Sequence, residues 1–103
     1  MIKADFCRKD GKIVGFKVSG HAYYGDPGQD IVCSAVSSAC YMAANGIEEC
    51  AGVKCDALYV EEGEMFLHCE KPQAALLLES LHLHLTALAQ DYPQYLKIIY
   101  TEV

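Results

Sequence analysis

The sequence predicts a two-layer α+β domain ordered β-β-α-β-β-α-β, with two helices packed on one face of a mixed, mainly antiparallel sheet. Three observations carry this reading. Five short runs have strand character while only two stretches reach helical length, so two helices cover one sheet. Apolar and polar residues alternate in the second run, the period of a half-buried strand. Asp10-Gly11 joins the first two runs and is a strong hairpin signal, which makes that pair antiparallel.

Residues 2–8 form the first strand. Residues 12–19 form the second, with Val14, Phe16 and Val18 alternating against Gly15 and Lys17. Gly20 ends it and His21 stands at its exit. A loop over about residues 22–29 holds Gly25, Pro27 and Gly28. Asp30 is a good N-cap, placed to accept a hydrogen bond from the backbone amide near Cys33. The first helix then runs to about Cys50. Ser34, Ala35, Ser37, Ser38, Ala39, Ala43 and Ala44 keep it slim, so another element can approach closely, and Gly46 weakens its last turns.

Residues 54–60 and 64–70 read as the third and fourth strands, turning through Glu61-Glu62-Gly63-Glu64. Pro72 suits the first position of a second helix that runs to about Asp91, and Pro93 stops it. Tyr95 to Thr101 reads as the last strand. Leu76, Leu77, Leu78, Leu81, Leu83, Leu85 and Leu88 wrap more than one face of the second helix. Core burial accounts for most of them, and a dimer interface can take the remainder.

The chain has 103 residues and is 52% hydrophobic, which suits one domain with a modest core. A formal net charge of -6 argues against gripping nucleic-acid phosphates and favours basic partners. The N-terminus lacks the apolar core of a signal peptide, and no apolar run approaches the ~20 residues of a membrane span. The expected compartment is the cytoplasm, where thiols stay reduced. The six cysteines (Cys7, Cys33, Cys40, Cys50, Cys55 and Cys69) are therefore read as thiols, most of them small core residues.

Cys33 is the exception by position. It falls in the first turn of a helix, where the peptide dipoles favour the nucleophilic thiolate. His21 lies ahead of the same loop, and histidine can take a proton near neutral pH. A base and an activated thiol are the parts of a cysteine nucleophile site. Asp30 is explained by capping alone, and its carboxylate could also orient His21. Gly25 to Gly28 read as a surface turn or as a lid that orders on substrate, with Tyr23 and Tyr24 against it. Competing chemistries lack their signatures: there is no C-x-x-C, no H-E-x-x-H and no G-x-S-x-G, and His82 and His84 point to nearly opposite sides of a helix. No cofactor or metal is expected. A non-catalytic binding module using the same loop and a thiol redox sensor remain the alternatives at this point.

The segments Gly20-His21-Ala22 and Gly28-Gln29-Asp30-Ile31-Val32-Cys33-Ser34-Ala35-Val36-Ser37 resemble the ribosomal-processing cysteine proteases, the Prp family of Firmicutes and related bacteria. The element order is similar over the whole chain, so residues 1–103 are expected to form a single protease domain. Ser34 departs from the alanine that the family often has. The resemblance implies an endopeptidase that removes an N-terminal extension from a basic large-subunit ribosomal protein during ribosome maturation. It implies Cys33 as nucleophile, His21 as general base, an acidic motif position at Asp30, a moving loop over the site and a homodimer. The binding-module alternative then becomes a ribosome-assembly factor docking on the same protein.

The chemistry expected is thiol acyl transfer. His21 takes the Cys33 proton, the sulfur attacks a peptide carbonyl, and amides at the helix start stabilise the oxyanion.

Overall fold

The computed structural model describes residues 1–20 and 30–103. Strands β1 (Ile2–Lys9) and β2 (Lys12–Ser19) form the expected hairpin. Asp10 and Gly11 take φ of 53° and 78°, the two left-handed residues that a tight two-residue hairpin turn needs. Helix α1 spans Ile31–Asn45, and strands β3 (Ala57–Glu61) and β4 (Glu64–His68) make a second hairpin. Helix α2 (Ala75–Asp91) leads into β5 (Leu96–Glu102).

The sheet order is β3-β4-β2-β1-β5. All pairs are antiparallel except β1 with β5, whose parallel pairing follows from the return of the chain through α2. The register aligns Phe6, Phe16, Leu67 and Leu58 in one row across β1, β2, β4 and β3. Ala4, Val18, Met65 and Val60 form the next row. This face meets Val32, Val36, Ala39, Cys40 and Ala43 of α1 and Leu78, Leu81 and Leu85 of α2 in one buried core. The opposite face is dressed with polar pairs, Lys17–Glu64 and Asp5–Thr101 among them. Two helices thus cover one face of a mixed sheet, as expected.

The element ends depart from the sequence reading for local reasons. The first helix keeps α hydrogen bonding only to Asn45, and a π-helical turn over Gly46–Cys50 carries it on. Gly46 stands at the change. A Cβ there would lie 2.9 Å from Leu77 Cδ1, so the Leu77 side chain of α2 packs directly over this glycine. The third strand starts at Ala57 rather than at residue 54. Residues ahead of it are tied elsewhere: the Cys55 amide donates to Glu48, and Asp56 accepts from the Glu70 amide. Pro72 opens a single 3-10 turn, Pro72–Ala74, before α2 begins. Of the leucines on α2, Leu78, Leu81 and Leu85 are buried, whereas Leu76 and Leu83 are 77% and 73% exposed. No helix among the described residues is long and apolar enough to cross a membrane.

Candidate active site

Asp30 precedes α1 in extended backbone geometry, φ -75° and ψ 99°. Its Oδ1 accepts hydrogen bonds from the amides of Val32 and Cys33, each at 3.0 Å, and its carbonyl accepts from the Ser34 amide at 3.1 Å. The expected cap is therefore present, and it seats Cys33 as the third residue of the helix. The Cys33 amide is the donor expected for the cap, and it is engaged by the Asp30 carboxylate.

Cys33 is partly buried, packs against the core and opens on a cavity of about 240 Å³. The helical repeat puts Val36, Ser37, Cys40 and Tyr41 on the same wall, three, four, seven and eight residues further on. Facing them are Val60, Glu61, Gly63, Glu64 and Met65 of the β3–β4 hairpin, with Ile2, Val18 and Gly20 completing the lining. Glu64 is also tied to the polar side of the sheet, 3.4 Å from Lys17 Nζ and accepting from the Tyr59 hydroxyl at 3.2 Å.

Gly20 closes β2 at the edge of this cavity. Its φ is 92°, and a Cβ would sit 2.5 Å from the Met1 carbonyl oxygen, so both conformation and space demand glycine. Its amide donates to the Gly63 carbonyl at 3.0 Å. The residue before His21 is thereby hydrogen-bonded to the facing hairpin and lies close against Met1. His21, Tyr23, Tyr24, Gly25 and Gly28 themselves lie outside the described residues.

The other thiols are placed differently. Burial pushes Cys40 up to about 12. Cys55 is also pushed up to about 12, first by burial and then by Cys69 and Glu48. Cys7 is raised by burial and by Asp5, Glu70 and Glu102. A thiol held protonated is a poor nucleophile. None of the six cysteines is in a disulfide. Two histidines have structural partners. His82 Nε2 is 2.6 Å from the Tyr100 hydroxyl with its ring against Phe6, and His68 Nε2 is 2.8 Å from Glu70. Among the described residues no three His, Cys, Asp or Glu side chains gather as a metal site.

Sequence reasoning did not single out Ser37, Tyr41 or Val60 as parts of this cavity. The first two were legible in principle, because residues four and eight beyond Cys33 share its side of a helix. Val60 was not, since its approach depends on how β4 registers on β2.

The chain matches the family profile described as cysteine protease Prp over residues 1–97. It is 30% identical to the ribosomal processing cysteine protease Prp of Bacillus subtilis over 108 residues, covering 95% of this chain and 96% of that protein. It is 27% identical to the protein of the same name from Staphylococcus aureus, covering 97% and 99%. Its fold is similar to that of the S. aureus processing protease in complex with a covalently linked product peptide, with a TM-score of 0.90 at 24% identity over 98% of this chain and all of that one. A Streptococcus mutans structure gives 0.86 at 29% identity, over all of this chain and 96% of the other. Fold, cavity and sequence agree: this chain is a cysteine protease and belongs to the Prp family.

Proposed function

We propose that this protease removes the N-terminal extension of a basic large-subunit ribosomal protein in the cytoplasm during ribosome maturation, as a single domain over residues 1–103. The observation that carries the reading is Cys33 at the third position of α1, opening on a cavity. The names of the B. subtilis and S. aureus relatives, ribosomal processing proteases, support the substrate class. The net charge of -6 suits a basic substrate.

In this reading His21 takes the proton of Cys33. The sulfur attacks the scissile carbonyl carbon, and a C–S bond forms as the carbonyl oxygen becomes an oxyanion. His21 then gives its proton to the leaving amine as the C–N bond breaks. Water, deprotonated by His21, releases the acyl group and restores the thiol. Asp30 holds the turn that presents Cys33 and orients His21. Tyr23, Tyr24, Gly25 and Gly28 contact the substrate. No cofactor is needed, since a thiol and a base suffice for acyl transfer.

The test is a peptide spanning the processing site, incubated with wild type, Cys33→Ala and His21→Ala and read by mass spectrometry. Loss of cleavage in both variants is expected. Cleavage by Cys33→Ala at the wild-type rate overturns the assignment. A homodimer is proposed through the outward Leu76 and Leu83 of α2. Light scattering should then give twice the 11.3 kDa chain mass, and a monomer at micromolar concentration refutes it.

A further inference from the structure

We propose that the outer edge of β3 is the docking strand for the substrate: an extended peptide adds to the sheet beside β3 and is led by it into the cavity that holds Cys33. This rests on the protease reading above and goes beyond it by stating how the peptide is held.

β3 is the last strand of the sheet on the side of the cavity, and among the described residues nothing pairs with its outer edge. All five of its residues are exposed. Such an edge is a hazard, because its open N–H and C=O groups recruit other strands, and soluble proteins blunt it with charge, proline or a bulge. β3 has no proline and no bulge. Leu58, Tyr59 and Val60 are 36%, 41% and 50% exposed, and the charge comes only at its final residue, Glu61. Its pairing with β4 runs through all five positions without a register shift, so the outer edge presents regular alternating groups. The opposite edge strand, β5, carries Lys97 and Glu102 instead.

Position supplies the occupant. Val60 and Glu61 line the same cavity as Cys33, so a strand laid along β3 continues toward the thiol. Leu58 and Val60 share the helix-side face of the sheet with the buried Leu67 and Met65 yet stay exposed themselves. An added strand would cover them. A protease must also hold its substrate extended, since a bond folded into a helix or turn offers its carbonyl poorly. Strand addition does this through main-chain hydrogen bonds, leaving side chains to fill pockets at every second position.

The experiment is a scan of single backbone N-methylations along the same processing-site peptide, with wild-type protein. Each N-methyl group removes one N–H. Those facing β3 are expected to lower kcat/KM about three- to tenfold, and those facing away by less than about twofold, with a period of two residues. In parallel, Cys33→Ala with the unmodified peptide should show amide-exchange protection at alternate residues of 57–61. A scan with no alternation while the unmodified peptide is cut overturns the docking strand and leaves the protease reading intact. Protection of β3 that rises with protein concentration in the absence of peptide shows a second copy on that edge and overturns it too. If wild type does not cut the unmodified peptide, the protease reading fails and this inference falls with it.

Discussion

Removing the Asp30 side chain tests the cap and the electrostatics around Cys33 together. Asp30→Ala deletes an acceptor that takes two amides at 3.0 Å, while the bond from the Ser34 amide to the Asp30 carbonyl survives. Capping substitutions cost about 1 kcal/mol within a range of roughly 0.5–2, and two amides in a partly buried setting place this one near 1.5. At roughly 4–8 °C per kcal/mol for a domain of this size, the melting midpoint should fall by about 6–12 °C. Asp30→Asn keeps the acceptor oxygen and should lose less than about 0.5 kcal/mol. The same Asn variant removes a negative charge from beside the Cys33 amide. Cys33 should therefore alkylate faster at a fixed pH near 6.5 in Asn than in wild type, because the helix dipole then acts on the sulfur without an opposing anion. Thermal unfolding and mass-resolved alkylation give both readouts. An unchanged midpoint for Asp30→Ala refutes the cap. Slower alkylation in Asp30→Asn refutes the electrostatic argument.

Three further outcomes follow from the geometry. Gly20→Ala should destabilise by about 2–4 kcal/mol in urea unfolding, from positive φ plus the Met1 carbonyl. Gly11→Ala, also at positive φ but with nothing within 4 Å, should cost only about 1 kcal/mol, and equal costs would refute the crowding at Gly20. With limiting iodoacetamide near neutral pH, Cys33 should label before the exposed Cys50, with Cys40 and Cys55 last, and early labelling of Cys40 would contradict its burial. Alkaline stability should carry the signature of Cys40. Its folded pKa is raised from 9.0 to about 12, so its contribution is complete below pH 9 and is lost as pH rises toward 12. The loss is about 1.4 kcal/mol per pH unit across that window. Cys40→Ala should flatten the curve there, and an unchanged slope would refute the assignment.

The parts of the molecule that were legible in the sequence are those set by neighbours in the chain. Asp10-Gly11 gave a hairpin because two adjacent residues tolerate positive φ. Asp30 and Cys33 gave a capped first turn because a cap acts over three residues. The π-helical end of α1 was not legible, because its placement involves Leu77 packing over Gly46 from another helix. The late start of β3 was hidden for the same reason, since Glu48 and Glu70 hold the residues before it. The far wall of the cavity required the β4–β2 register, which pairs Val18 with Met65 and so brings Val60 into line.

The cap also changes where the activation of Cys33 must come from. A helix N-terminus presents the equivalent of about half a positive charge, and by itself this favours a thiolate in the first turn. Here a carboxylate sits on two of the amides that express that charge. The negative charge of that carboxylate opposes the field of the dipole at the first turn while Asp30 is ionised. The same contact occupies the Cys33 amide, one of the amides at the helix start. In the proposed mechanism both effects shift the burden onto the base. Cys40 and Cys55, by contrast, are held protonated by burial. Proton removal in the proposed mechanism falls to His21, next in the chain to Gly20, whose amide donates to the Gly63 carbonyl.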